Sequence, residues 1–379
     1  MDPQLTPEET LGRRDWIESL RIVSLSRVAF LAVATAAAWF LASGTMGPSQ
    51  VGIADMWDQW DARHFAQIAD IGYFDPFTDP HATAFFPGLP LLMRLVAVTG
   101  LTPILAGMIV SFVSSIVAGA YLHRFAEEDV GEGSGRRALL YLCLFPTAVF
   151  LVAPYSEALF LAGAVPAFYY ARRNQWLMAA IPAAVAMGAR LAGLFLLIGL
   201  FFEFVRQGDF SLKRVGRLAV VMVVGLVPLI AYCTYLAIET GDPFQFVQAQ
   251  RDGWFRDLIG PVDSFLTTWR TWNASYDTNW VLSWRLEIIA AVVGLFFVAW
   301  ALVRREWGYA AFMGSTLAVQ MSSSWYFSIP RMLLSFFPAK LLLASFTQGK
   351  PRRHENLLMI MTPLATLGVV VYTQDVWFF

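Results

Sequence analysis

The chain has 379 residues, 57% of them apolar and only 15% charged, with a formal net charge of −1. Soluble domains run at roughly half apolar and a quarter charged, so this composition excludes an ordinary soluble globule, and the charge excludes a basic nucleic-acid binder. Apolar runs of about 17 to 25 residues recur, each able to cross a ~30 Å hydrocarbon layer, which is the pattern of a polytopic membrane protein.

The chain opens on a polar, acidic stretch, MDPQLTPEETLGRRDWIESLR. It lacks the short basic region of a cleaved signal, so the first apolar run is expected to stay as a span. About eleven spans are expected, at residues 22–46, 102–122, 138–153, 156–171, 176–189, 190–206, 217–238, 284–303, 308–324, 331–347 and 356–373. Residues 85–98 (FFPGLPLLMRLVAV) are too short and Pro-rich for a span and read as an interfacial or partly inserted helix. Pro166, Pro182, Pro228 and Pro338 are expected to kink their helices. Cys143 and Cys233 fall in apolar spans, so no disulfide framework is encoded.

Basic residues set the orientation. Arg13, Arg14 and Arg21, then Arg124, Arg136 and Arg137, and further clusters down to Lys350, Arg352 and Arg353 fall in every second loop. That regularity predicts a cytoplasmic N-terminus in a multi-pass plasma-membrane protein. The loop at 47–84 and the long loop at 240–283 then lie outside, as does the C-terminal TQDVWFF. One integral-membrane unit over 1–379 is expected, with an N-terminal module (1–238) and a C-terminal module (239–379). The absence of an internal repeat weighs against a secondary transporter. Arginine far outnumbers lysine, which together with the alanine content points to a GC-rich prokaryotic genome.

The first outer loop carries WDQWDARHF, residues 57–65. Read as a helix over 55–71, it puts Trp57, Trp60, His64, Ile68 and Ile71 on one face and Asp58 and Asp61 on its flank. An amphipathic helix in the membrane interface has this form. Solvation or helix capping is the alternative account of both aspartates. Asp75, Asp79 and His81 could gather as metal ligands, but a solvated loop is the expected reading, and no metal is assigned. Glu157, Arg190 and Arg331 lie near the outer ends of spans, where ionisable groups are costly unless paired or functional. Snorkelling to the interface is their alternative. Lys340 lies toward the cytoplasmic half and reads as structural or lipid-contacting. Trp254, Trp269, Trp272, Tyr276 and Trp280 in the second long loop could stack on sugars or anchor the interface.

The acids Asp58, Asp61 and Glu157 and the cations Arg190 and Arg331 are therefore expected on one membrane face. Arginines suit an anionic headgroup, and a carboxylate beside a lipid phosphate suits a base that activates a hydroxyl. No GxxxxGK[ST] loop, HExxH motif, GxSxG elbow or CxxC pair occurs. Serine or zinc hydrolysis and ATP-driven work lose support accordingly.

WDARHFAQIADIGY followed by AFFPGLPLL resembles the signature of the PIG-V-type mannosyltransferases, within the GT-C superfamily of membrane glycosyltransferases. The likeness continues through FPTAVFLVAPYSEALF, MGARLAGL, GDPFQFVQAQRDGW and SIPRMLLSFFP, and is strongest over 57–194. The resemblance implies an all-α GT-C-type fold with interfacial helices in the first outer loop. It also implies inverting transfer of mannose from a polyprenyl-phosphate-mannose donor to a glycolipid or glycan acceptor, without a cofactor. By the same resemblance Asp61 is the base, with His64 beside it; Glu157 matches an acidic position, and Arg331 and Arg190 match basic positions suited to the donor phosphate. Asp58 lies outside the matched pattern and is left as a supporting or acceptor-binding candidate. The competing readings are a GT-C transferase for another polyprenyl-phosphate sugar or a protein acceptor, a lipid transporter or flippase, and a structural membrane partner. The long first loop with its aspartates weighs against the transporter, whose key charges belong near the midplane.

Overall fold

Backbone polar groups in so apolar a chain must be satisfied within each segment, and helices do this locally. The computed structural model describes residues 11–41, 52, 54–274 and 278–376, which are helical apart from loops and one isolated bridge between Leu258 and Ser323. In chain order the helices are α1 (Arg13–Leu41), α2 (Asp61–Ile71), α3 (Gly88–Ala97), α4 (Pro103–Asp129), α5 (Ser134–Cys143) and α6 (Ser156–Arg172). They continue as α7 (Trp176–Ala189), α8 (Ala192–Gln207), α9 (Leu212–Thr240), α10 (Gln245–Trp254) and α11 (Pro261–Ala274). The last are α12 (Thr278–Val303), α13 (Trp307–Gln320), α14 (Ile329–Leu334), α15 (Phe337–Thr347) and α16 (Pro351–Thr373). Short 3₁₀ turns occupy Asp55–Trp57, Ala82–Ala84 and Ala148–Leu151.

Among the described residues, five helices have the length and apolarity to cross a membrane: Arg13–Phe40, Pro103–Asp129, Leu212–Thr240, Leu282–Val303 and Pro351–Thr373. The chain is a multi-pass membrane protein. Among the described residues each stretch expected as a span is largely helical, with residues 42–46 of the first lying outside them, and two stretches are broken. In the stretch expected at 138–153, α5 stops at Cys143 and a 3₁₀ turn follows at Ala148–Leu151. Pro146 lies between them, where it lacks an N–H and turns the residue before it away from helix. The stretch expected at 331–347 is broken between α14 and α15, and Pro338 sits in the first turn of α15 instead of kinking a continuous helix. Pro166, Pro182 and Pro228 do lie inside α6, α7 and α9.

The break is stabilised by a lysine. Lys340 Nζ, wholly buried, donates to the carbonyl oxygens of Leu333 (2.8 Å) and Leu334 (2.9 Å) and lies 4.0 Å from the centre of the Phe145 ring. Carbonyls at a helix end have no partner in their own helix, so a cation there satisfies them. This bears out a structural role for Lys340.

Helices α6 and α7 approach so closely that a Cβ on Gly163 would lie 2.5 Å from the Ala186 nitrogen. A Cβ on Gly88 would meet the Gly188 carbonyl oxygen at 2.5 Å, which seats the start of α3 against the end of α7. Arg94 near the end of α3 donates to the carbonyls of Ala69 and Asp70 at the end of α2, tying the two short helices together. Arg27 in α1 donates to Ser115 Oγ and to the Leu151 carbonyl, both at 2.7 Å, fastening α1 to α4 and to the turn before α6. The two ends of α6 carry different charges. Arg172 at its C-terminal end bonds Glu306 (2.8 Å) and lies 3.1 Å from Asp129, while Glu157 is in its first turn, about 22 Å away along the helix.

Replacing Lys340 with methionine keeps an unbranched apolar stem and removes the ammonium from both carbonyls, leaving that of Leu333 with only the Phe336 N–H at 3.2 Å. Lys340→Met is expected to cost about 2–4 kcal/mol, read as a lower unfolding midpoint of the detergent-solubilised protein. Wild-type stability would refute the role given to this lysine.

Candidate active site

The opening motif does not form one helix. A 3₁₀ turn spans Asp55–Trp57, the chain turns at Asp58–Trp60, and α2 begins at Asp61. The expected face of Trp57, Trp60, His64, Ile68 and Ile71 is accordingly not the packed one. Ala62, Phe65, Ile68 and Ala69 are buried, and Ile71 is exposed. Trp57 is fully buried against Tyr372, with ring centres 5.9 Å apart, so it is a core residue and not an interface anchor. The turn at Trp60 resets the phase for Trp57 and Trp60, whereas His64, Ile68 and Ile71 keep their i, i+4, i+7 spacing within α2.

Trp60 adopts φ 51°, ψ −123°, a backbone state that costs a non-glycine residue on the order of 1–3 kcal/mol and persists only where its surroundings hold it. Two buried tyrosines hold it. Tyr155 Oη accepts the Asp61 N–H (3.2 Å) and donates to the Gln59 carbonyl (3.3 Å). Tyr372 Oη lies within donating distance of the carbonyls of Trp57 (3.2 Å) and Gln59 (3.3 Å). The result fixes Asp61 as the first residue of α2, where the free N–H groups and helix dipole favour a carboxylate.

Asp61 Oδ2 accepts from Arg331 Nη1 at 2.6 Å. Arg331 Nε lies 3.1 Å from Glu157 Oε1, which also accepts from Arg190 Nη1 at 2.7 Å. Glu157 is wholly buried. The Arg331 guanidinium rests over Phe150 (5.5 Å) and Tyr155 (5.3 Å), a cation–π setting that limits its freedom. Four of the residues singled out in the sequence, Asp61, Glu157, Arg190 and Arg331, thus form one continuous charged chain.

Three of them, Asp61, Arg190 and Arg331, line a cleft of about 350 Å³. The same cleft is walled by Phe195, Phe246, Phe312 and Val319, so a polar group and an apolar chain can occupy it together. His64 stands behind one wall, stacked on Phe85 (4.8 Å between ring centres) and edge-on to Trp254 (5.6 Å). Trp254 lines the cleft, whereas Trp269 is exposed on α11. Tyr276 lies outside the described residues, as do the side chains of Trp272 and Trp280. Asp58 does not line the cleft. Its Oδ1 is buried without a hydrogen-bond partner, and burial raises its carboxyl above the ordinary range against the opposing pull of Arg63.

The carboxylates of Asp75 and Asp79 accept the N–H groups of Phe77 and His81, closing turns. Among the described residues no three His, Cys, Asp or Glu side chains gather as a metal-ligand set.

Two residues of the site were not found from the sequence. Glu287, buried in α12, accepts the N–H groups of Ser328 (2.6 Å) and Ile329 (2.9 Å) and so caps the short helix that carries Arg331. An acid within the otherwise apolar run LEIIAAVV is the signal that could have identified it. Arg256 lines the cleft and donates from Nη2 to the Phe327 carbonyl at 3.1 Å. It sits in a polar loop rich in arginine and aspartate, where sequence offers no reason to single it out.

A family model described as mannosyltransferase (PIG-V) matches residues 49–246, just over half of the sequence. The chain belongs to the PIG-V mannosyltransferase family. It is 33% identical to the GPI alpha-1,6-mannosyltransferase 2 of Homo sapiens over 181 residues, 45% of this chain and 36% of the human protein. It is 34% identical to that of Cricetulus griseus over 169 residues, 40% of this chain and 32% of the relative. The matched stretch spans about a third of the length of these relatives. The fold is similar to that of the apo oligosaccharyltransferase of Archaeoglobus fulgidus, with TM-score 0.50 and 12% identity over 91% of this chain and 56% of that one. The fold is of the GT-C type. The matched family segment contains Asp61, Glu157 and Arg190 but ends before Arg256, Glu287 and Arg331.

Tyr155→Phe removes both hydrogen bonds of the Tyr155 hydroxyl and loosens the turn that presents Asp61. Glycosyltransferase turnover is expected to fall about tenfold, equivalent to ~1.4 kcal/mol, with little change in KM; unchanged turnover would refute the clamp. Asp58 makes a pH-dependent prediction. Its raised value means that the folded state favours the protonated form, so its contribution to stability is present below the ordinary carboxylate range and lost as pH rises through the raised value. Asp58→Asn is expected to flatten that part of the stability–pH curve. An unaltered curve in thermal unfolding across acid to neutral pH would refute this.

Proposed function

We propose that this PIG-V family member is an inverting α-mannosyltransferase that takes mannose from a polyprenyl-phosphate-mannose donor and delivers it to a hydroxyl of a glycolipid or glycan. In this reading it works in the plasma membrane, with its N-terminus cytoplasmic and its site on the extracytoplasmic face. The observation that carries the reading is the 2.6 Å contact between Asp61 and Arg331 on a cleft that also has phenylalanine walls. A carboxylate, a guanidinium and an apolar channel are what a base, a phosphate and a lipid tail respectively require. The family membership supplies the sugar.

The chemistry follows from those groups. Asp61 accepts the proton of the acceptor hydroxyl as its oxygen attacks the anomeric carbon in line. The bond from that carbon to the phosphate oxygen breaks, and polyprenyl phosphate leaves with the electron pair. One displacement inverts the centre, so a β-linked donor yields an α-mannoside. Arg331, with Arg190 behind it through Glu157, offsets the charge that develops on the leaving phosphate. A phosphate leaves readily as an anion, so no general acid is called for. Glu157 holds the two arginines apart and aimed, His64 stiffens the wall beside Asp61, and Asp58 serves the acceptor side.

The test incubates purified protein with polyprenyl-phosphate-mannose and a membrane extract and identifies what gains mannose, with other polyprenyl-phosphate sugars in parallel. Asp61→Asn is expected to lower turnover by roughly 10²–10⁴-fold while donor binding persists. Near-normal turnover in that variant would overturn the role of Asp61, and preference for another sugar would overturn the donor.

A further inference from the structure

The charged chain at the cleft is already balanced. Arg331 and Arg190 face Asp61 and Glu157, two guanidiniums against two carboxylates, with contacts of 2.6, 3.1 and 2.7 Å. A donor phosphate entering such a set meets no unmatched positive charge there. Arg256 is different. It lines the same cleft, and among the described residues no carboxylate lies within 4.0 Å of its guanidinium. The neighbouring acids are committed elsewhere. Asp257 pairs with Arg251 at 2.5 Å, and Glu287 receives the Ser328 and Ile329 N–H groups.

The Arg256 head group is held without being neutralised. Nη2 donates to the Phe327 carbonyl, and the guanidinium lies 5.1 Å from the centre of the Phe327 ring. Nε is buried and has no hydrogen-bond partner, a state that is costly unless something accepts from it. The loop itself is pinned: Leu258 bridges Ser323, Ile259 N–H donates to the Ser322 carbonyl (2.8 Å), and Asp257 N–H donates to Ser324 Oγ (2.9 Å). That pairing joins the loop of Arg256 to the segment that leads into α14 and Arg331. The two arginines are thereby carried on adjoining, mutually fastened pieces of chain.

We infer that Arg256 is the principal contact for the phosphate of the lipid-linked donor, and that it keeps its hold on the lipid phosphate product after transfer. This rests on the function proposed above for the same cleft. The charge balance fits the reaction. When the glycosidic bond to phosphate breaks, the phosphate gains one negative charge, and Asp61 loses one by taking the acceptor proton. Arg331 is then released from an ionised partner just as the phosphate becomes more anionic, while Arg256 stays bound throughout.

The experiment measures binding of farnesyl phosphate, farnesol and inorganic phosphate to the full-length protein in detergent, without any transfer reaction. Wild type is expected to bind farnesyl phosphate well above farnesol and inorganic phosphate. Arg256→Gln is expected to weaken farnesyl phosphate by roughly ten- to a hundredfold and leave farnesol unchanged, with Arg256→Lys between them. Retained farnesol binding also shows that each variant is folded. Farnesyl phosphate bound equally by wild type and Arg256→Gln would overturn the inference, as would no binding by wild type or equal affinity for inorganic phosphate. A parallel mannose-transfer assay separates the two proposals. Arg256-dependent phosphate binding without transfer would sink the function and leave this contact standing; transfer with product inhibition unaltered in Arg256→Gln would do the reverse.

Discussion

The contact between Asp61 and Arg331 joins residues 270 apart in the chain, and most of the architecture serves to make it possible. Neither partner belongs to a long membrane-crossing helix. Asp61 is the first residue of a short helix entered through a strained turn, and Arg331 sits in a six-residue helix isolated by a break. Short elements can be placed independently, but on their own they are unstable, because few internal hydrogen bonds offset the cost of nucleation. Each is therefore held by side chains from elsewhere. Tyr155 and Tyr372 hold the turn before Asp61. Glu287 and Lys340 occupy the two ends of the helix that carries Arg331.

Burying so many charges is costly, and the arrangement limits that cost by pairing. An isolated buried carboxylate at Glu157 would be strongly unfavourable; between Arg331 and Arg190 it becomes the hinge of a network. A second buried network around Arg172 stands at the other end of α6 and fastens α4, α6, α8 and α13 there. The ion-paired Arg172 end and the glycine-tight contact of α6 with α7 leave the Glu157 end as the place where short helices and loops converge. A base has to be held within hydrogen-bond reach of a transient hydroxyl, and such rigidity beneath it is what makes that repeatable.

Much of the helical layout was legible in the sequence, because apolar length is a local property. The stretches that became α4, α7, α9 and α16 could be located from hydropathy alone. The expected single spans at 138–153 and 331–347 failed because mean apolarity does not register a break: Pro146 interrupts the first, and the second, which carries Arg331 and Lys340, breaks just before Pro338, where the lysine satisfies the broken end. The helix expected over 55–71 failed because a periodic pattern carries no information on whether the chain turns in the middle. Trp57, which looks like an interface residue beside a polar motif, is fully buried.

The same division holds for the site. By itself the sequence determined that this is a membrane protein of many helices, and that Asp61, Glu157, Arg190 and Arg331 are charges out of place, since an ionisable group at the edge of an apolar run is costly wherever the chain goes next. Only the tertiary structure decided that these four touch, that Asp58 and His64 stand outside the cleft, and that Arg256 and Glu287 belong beside them. Arg256 lies in a polar loop where an arginine costs nothing locally. Its surroundings are created by Phe327 and the bridged segment 322–328, more than sixty residues further on, and a contact of that range exists only once the chain has folded.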